Sequence, residues 1–89
     1  MGFHLEFTDK AKADIITHKK SGNKAVLKKL LIILEELPEN PFTGIGKPEP
    51  LKHSLSGTWS RRIDKEHRLI YEVKDSIIFI LSAKGHYKR

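Results

Sequence analysis

Cysteine is absent from this 89-residue sequence, and apolar runs are short, as at residues 30–34. The first absence excludes disulfide bonds and thiolate metal sites, and it favours a reducing compartment. The second argues against a membrane-spanning helix. The first residues also lack the pattern of a signal peptide. We therefore expect a cytoplasmic protein that does not act in a membrane.

Acidic residues are scarce relative to basic ones. There are 11 Asp and Glu against 17 Lys and Arg, which gives a net charge of +6 and a pI of about 9.7. Such a balance points to a polyanionic partner, and nucleic acid is the favoured one. A basic domain with no such partner is the alternative that charge alone leaves open.

Motifs of several enzyme classes are missing as well. The five histidines do not have the spacing of paired metal ligands, and acidic clusters are absent, so we predict no metal site. The stretch GIGK at residues 44–47 lacks P-loop spacing, and no serine lies in a GxSxG context. We expect no cofactor. Acid–base chemistry on a phosphodiester without a metal is the enzymatic reaction that remains.

The first half of the chain predicts a strand and two helices. Alternation at residues 3–7 is typical of a short strand, and Thr8 is the expected N-cap of a helix that runs to about Lys20. Pro38 ends the second helix. The apolar stripe of the first helix consists of Ala11, Ile15 and Ile16, with Ala13 as a further candidate. The predicted core face of the second consists of Val26, Leu27, Leu30, Leu31, Leu34 and Leu37.

After a connector at residues 38–50, which holds all four prolines, the pattern changes to that of strands. The expected strands span residues 51–55, 58–63, 68–73 and 77–83. We predict a single domain over residues 1–89. Its fold class is α+β, with the N-terminal strand and two helices packed on a mainly antiparallel sheet.

Glu49 lies between two prolines in the stretch KPEP, and no other acidic residue occurs between Glu39 and Asp64. Proline restricts both its own φ and the conformation of the preceding residue. A carboxylate in so stiff a frame suits a group that must meet a substrate at a fixed angle. Long connectors in compact domains are also often functional.

Basic residues accumulate between Lys47 and Arg68. Strand alternation places Arg61 on the core face, where we expect its head to reach water at the sheet edge, and Arg62 on the opposite, open face. We expect Arg68 on that open face too. Two interpretations fit this run: a solvated sheet edge that discourages pairing, or a surface that binds phosphates.

Cleavage of RNA would require few groups. The 2′-hydroxyl is the nucleophile, so the protein supplies a base for its proton, a cation for the phosphorane and an acid for the 5′-oxygen. Glutamate, arginine and histidine suit these roles. Glu49 is a candidate base, and His86 near the C-terminus is a candidate acid. A lone terminal histidine is more often a surface residue.

Two segments resemble one family. The stretch GIGKPEPLKHSLSGTWSRRIDKEHRLIYEV at residues 44–73 and SAKGHY at residues 82–87 are similar to the YoeB/Txe toxins of bacterial type II toxin–antitoxin systems, in the RelE-like superfamily. The resemblance implies a small fold related to microbial ribonucleases. It also implies metal-free cleavage of mRNA in the A site of the small ribosomal subunit, which leaves a cyclic phosphate and a 5′-hydroxyl.

The resemblance assigns roles residue by residue. Glu49 is the base, Arg68 stabilises the phosphate, His86 is the general acid, and Tyr87 helps to position the base or substrate. The predicted RNA-binding residues are Lys47, Lys52, His53, Arg62 and Lys84. The implied partners are the ribosome, mRNA and a cognate antitoxin with an acidic, partly disordered segment.

The sequence also departs from the family. The first helix lacks the tryptophan and tyrosine that are common there, so the sequence leaves a homodimer open. Gly85 stands where larger residues are common, and Lys88 and Arg89 extend the usual end. Two other functions stay open: a non-catalytic module that binds RNA or ribosomes, and a ribonuclease that needs no ribosome.

Overall fold

The computed structural model describes residues 2–51 and 57–85. In these ranges the chain forms two helices and five strands. In chain order they are β1 (His4–Phe7), α1 (Asp9–Ser21), α2 (Lys24–Glu36), β2 (Glu49–Pro50), β3 (Thr58–Arg62), β4 (Arg68–Lys74) and β5 (Ile77–Ser82). No helix in these ranges has the length and apolarity to cross a membrane.

The strands form one sheet in the order β1-β5-β4-β3-β2. The pairs β2–β3, β3–β4 and β4–β5 are antiparallel, whereas β1 runs parallel to β5. Both helices contribute buried residues to the core on one face of the sheet. The predicted α+β class, with helices on a mainly antiparallel sheet, is therefore confirmed.

Helix α1 begins as predicted but buries different residues. The side chain of Thr8 caps the helix by accepting from the Ala11 N–H at 3.1 Å. Ile16, predicted for the apolar stripe, is 50% exposed, whereas Asp14 and His18 are buried. The prediction for Ile16 was wrong because the core side of this helix is partly polar, and its polar groups bind backbone atoms beyond β5.

Helix α2 supplies most of the helical share of the core. Its buried residues are Val26, Leu30 and Ile33, and Leu37 follows directly after the helix. The spacing of four, three and four residues keeps these side chains on one line. Leu31 is 48% exposed, so its assignment to the core face was wrong. Ile33, which the prediction left out of that face, is fully buried.

The second half of the chain forms the strands close to their predicted bounds. Leu69, Tyr71, Ile78 and Ile80 point to the helices and are fully buried. The strand expected at residues 51–55 differs: β2 is the two-residue pair Glu49–Pro50, and residues 52–56 lie outside the described ranges.

Arg61 is completely buried, so the expectation that its head reaches water was wrong. Its Nη1 donates to Glu36 Oε1 at 2.5 Å, and its Nε donates to the Tyr71 hydroxyl at 3.3 Å. The guanidinium also donates to three carbonyls of the connector, those of Asn40, Thr43 and Ile45. Five donors in a planar fork satisfy acceptors that arrive from several directions, which removes the need for water.

Candidate active site

The register of the sheet brings four polar side chains to the face opposite the helices. Cross-strand partners point to the same face, and Glu49 pairs with Ser60 while Arg62 pairs with Arg68. These residues alternate with the core residues of β3 and β4. We call this surface, defined by Glu49, Ser60, Arg62 and Arg68, the open face.

Glu49 and Arg68 form the central contact of the open face. Arg68 Nη1 donates to Glu49 Oε1 at 3.1 Å and to Ser60 Oγ at 3.2 Å. The Glu49 side chain is 58% exposed and that of Arg68 22%. Glu49 Oε2 and Arg68 Nη2 have no hydrogen-bond partner among the described residues.

Two backbone hydrogen bonds to β3 hold the chain on either side of Glu49. The Arg62 N–H donates to the Gly46 carbonyl at 2.7 Å, and the Leu51 N–H donates to the Thr58 carbonyl at 3.0 Å. Gly46 has a φ of +87°, and a Cβ there would lie 2.8 Å from the Arg62 carbonyl oxygen. Glycine is therefore required for this close approach. Glu49 sits between these two attachments.

The described part of the predicted RNA-binding set is exposed. Lys47, Arg62 and Lys84 all have exposed side chains. Arg62 is on the open face, Lys47 lies two residues before Glu49, and Lys84 follows β5. The other predicted site residues, Lys52, His53, His86 and Tyr87, lie outside the described ranges. The structure therefore brings together Glu49, Arg62 and Arg68, and it leaves the other roles as predictions.

Three residues without a predicted role hold the chain after β5. Asp14 and His18 bind the backbone of Ala83, and His67 binds that of Gly85. Nothing in the local pattern of α1 marks Asp14 and His18, because a helix with a thin apolar stripe looks simply solvated. Ser60 could have been found, because alternation places it on the same face as Arg62.

Two buried or half-buried carboxylates in this region are shifted toward their charged form. Burial alone would raise the pKa of Asp14, but the Ala83 N–H and the Lys10 ammonium hold it below its ordinary value. Burial likewise opposes ionisation of Asp64, whose pKa is lowered by the N–H groups of Glu66 and His67. Both aspartates therefore act as charged acceptors of backbone hydrogen bonds. Among the described residues, no group of three or more histidines and carboxylates could hold a metal ion.

Solved structures with the same architecture define the class of protein. The chain matches the YoeB/ParE toxin from Agrobacterium tumefaciens with a TM-score of 0.85 at 32% identity, over 94% of this chain and 99% of that one. The match to the YoeB dimer from Staphylococcus aureus has a TM-score of 0.80 at 41% identity, and it covers 96% of this chain and 98% of that one. The match to the YoeB–YefM complex from the same organism has a TM-score of 0.77 at 42% identity, with the same coverage of both chains. The fold is that of the RelE-like toxins.

Sequence comparison then gives the family. Residues 7–87 match the model of the YoeB-like toxin of bacterial type II toxin–antitoxin systems. The toxin YoeB of Synechocystis sp. is 42% identical over 85 residues, which cover 96% of this chain and 98% of that protein. This chain belongs to the YoeB-like toxins of bacterial type II toxin–antitoxin systems, as its motifs indicated.

Proposed function

We propose that this toxin is an endoribonuclease that cuts mRNA in the ribosomal A site without a metal, and that a cognate antitoxin holds it inactive. The observation that carries the proposal is the Glu49–Arg68 contact of 3.1 Å on an exposed, basic face of the sheet. A carboxylate and a guanidinium that touch each other can also touch neighbouring atoms of one phosphodiester.

In the proposed reaction, Glu49 accepts the proton of the 2′-hydroxyl while the 2′-oxygen forms a bond to phosphorus. Arg68 donates to the phosphate oxygens, on which negative charge develops. His86 protonates the 5′-oxygen as its bond to phosphorus breaks. The products are a 2′,3′-cyclic phosphate and a 5′-hydroxyl, and the two proton transfers balance.

The geometry supports different roles for the two carboxylate oxygens of Glu49. Oε1 accepts from Arg68, whereas Oε2 has no partner among the described residues and is available to the 2′-hydroxyl. Ser60 Oγ accepts from the same Arg68 nitrogen at 3.2 Å and so helps to orient the guanidinium. Arg62, opposite Arg68 in the register, supplies a further positive charge for the RNA backbone.

The proposed partners follow from charge and from the relatives. The S. aureus toxin was solved with YefM and also as a dimer. We propose a corresponding antitoxin for this chain. An acidic, partly disordered segment would match its net charge of +6 and would cover the open face. The ribosome and its bound mRNA are the proposed substrate complex.

Primer extension on a defined mRNA, free and on programmed ribosomes, tests the proposal. We expect wild type to cut only on ribosomes and Glu49→Gln to lose about 10²- to 10⁴-fold in rate, because the base is gone. Glu35→Gln is the matched control, since Glu35 is an exposed carboxylate on α2. It should cut at the wild-type rate.

Each other outcome names an alternative. A folded wild type that binds ribosomes without cutting would make the protein a non-catalytic binding module. Cuts in free mRNA at the same rate would make it a ribonuclease that needs no ribosome. Equal rates for wild type and Glu49→Gln would remove Glu49 from the chemistry.

A further inference from the structure

Ala83, the first residue after β5, is held on both sides by helix α1. Its N–H donates to Asp14 Oδ2 at 2.9 Å, and its carbonyl accepts from His18 Nε2 at 2.7 Å. A carbonyl only accepts, so Nε2 of His18 carries the hydrogen. Both anchoring side chains are buried. The sheet ladder ends at Ser82, and these two bonds continue its restraint by one residue.

Gly85 is held on both sides by His67, which precedes β4, and Arg68, the first residue of β4. Its N–H donates to His67 Nδ1 at 2.9 Å, and its carbonyl accepts from the Arg68 N–H at 3.0 Å. The Gly85 carbonyl carbon is also bonded to the nitrogen of His86. One hydrogen bond therefore joins the residue before the predicted general acid to the residue predicted to stabilise the phosphate.

Several contacts hold His67 in place. Its backbone N–H donates to Asp64 Oδ1 at 2.7 Å, and its backbone carbonyl accepts from the Ile63 N–H at 2.9 Å. Its ring meets that of His18 edge-on, with 4.8 Å between the centroids. Nδ1 accepts from Gly85, so the neutral ring carries its hydrogen on Nε2, which lies 3.7 Å from a Glu66 carboxylate oxygen.

Gly85 itself needs this support. Its φ of +83° lies in the left-handed region, which glycine adopts freely, so its own backbone does little to hold the conformation. A Cβ at this position would meet no atom of residues 2–51 or 57–85 within 4 Å, so these residues leave it space. Its hydrogen bonds with His67 and Arg68 hold it in this conformation.

We propose that His67 is a positioning residue: its Nδ1 holds the Gly85 N–H and thereby sets where the chain delivers His86 relative to Arg68. The inference rests on the proposed function, in which His86 protonates the leaving 5′-oxygen. A displacement of about 1 Å in a reacting group costs about 10²-fold in rate. His67 touches no reacting atom and acts through the backbone alone.

Two substitutions separate the hydrogen bond from the volume of the ring. Asparagine places an amide oxygen near the position of Nδ1, whereas leucine offers no acceptor. On programmed ribosomes at saturating toxin we expect His67→Leu to lose about 10²-fold in cleavage rate and His67→Asn to lose less than about tenfold. The toxin concentration at half-maximal rate should stay unchanged for both, because substrate binding is not affected. Thermal unfolding of each variant controls for the fold.

A change of leaving group separates positioning of the acid from a general loss of structure. With sulfur in place of the scissile 5′-oxygen, the leaving group departs without a proton. His67→Leu should then cut at close to the wild-type rate, while Glu49→Gln should stay slow. An equal loss for His67→Leu on both substrates, or no loss on either, overturns the inference.

Nuclear magnetic resonance tests the same bond without RNA. In ¹⁵N-labelled protein we expect a scalar coupling across the hydrogen bond from Gly85 N to His67 Nδ1, and slow exchange of the Gly85 amide. His67→Leu should lose both, while the Ala83 amide keeps its protection through Asp14. Absence of the coupling in wild type overturns the inference. Failure of wild type to cut RNA, with the coupling present, overturns the proposed function instead.

Discussion

Arg61 acts on the connector before Glu49 although it never reaches the open face. It binds Glu36 and the carbonyls of Thr43 and Ile45, and so holds the chain just ahead of Gly46. Strand alternation correctly placed Arg61 on the core face. These three partners lie 16 to 25 residues away, however, and no local pattern pairs a strand residue with them.

Replacing Arg61 with Met should destabilise the protein by about 3–5 kcal/mol, because Glu36 and the connector carbonyls lose their buried partner. Urea unfolding followed by tryptophan fluorescence measures this change. Arg62→Met is the matched control, since Arg62 is exposed, and it should change stability by less than about 0.5 kcal/mol. Similar unfolding midpoints for the two variants would contradict the structural role of Arg61.

At the scale of elements, α2 shows how far periodicity reaches. Residues 30–34 are all apolar, so the pattern predicts a helix and a core face but does not decide which neighbours point inward. The structure buries Leu30 and Ile33 and leaves Leu31 outside. The choice depends on the sheet against which the helix packs, which local sequence does not describe. The polar contact of α1 with the end of β5 is hidden for the same reason.

That polar contact predicts a dependence of stability on pH. The pKa of Asp14 is lowered in the folded state. The stability that the charged carboxylate contributes is therefore complete at a pH above the pKa of the unfolded chain, about 3.9, and it is lost as the pH falls through the pKa of the folded protein. Asp14→Asn should therefore cost about 1–3 kcal/mol at pH 7 and much less at pH 3. Urea unfolding at the two pH values measures the difference.

The lysine partner of Asp14 provides the control. Lys10→Met removes a side chain that is mostly exposed, so it should change stability by less than about 1 kcal/mol. A cost for Asp14→Asn that is the same at pH 3 and pH 7 would show that the charge of Asp14 contributes nothing.

For the whole molecule, the sheet separates the hydrophobic core from the candidate active site. One face packs against the helices, and the other carries Glu49, Arg62 and Arg68. Alternation predicted the face of Arg62 and Arg68 correctly, because it needs only a period of two. The alternation of residues could not predict the contact between Glu49 and Arg68, because that contact depends on the register of a two-residue strand, β2.

The charge of the open face predicts a salt dependence. Cleavage on programmed ribosomes below saturation should fall steeply as salt rises, because phosphate contacts release counterions. Arg62→Ala should weaken binding for every mRNA tested and should reduce the slope of log affinity against log salt by about 1. Lys20→Ala, which removes one exposed charge from α1, should leave the slope unchanged. Equal effects of the two variants would mean that only net charge matters.

The pairing of β1 with β5 has a consequence for the order in which parts of the chain fold. His4 lies beside Ile77, and Asp14 binds Ala83, so these contacts close loops of about 70 residues. Loop closure of this length is entropically costly, and non-local pairing is slow. The helices and the β3–β4 and β4–β5 hairpins can form from local contacts, yet they leave the chain after β5 without its anchors on α1. A half-folded chain therefore has most of its secondary structure but lacks the hydrogen bonds of Asp14 and His18 with Ala83.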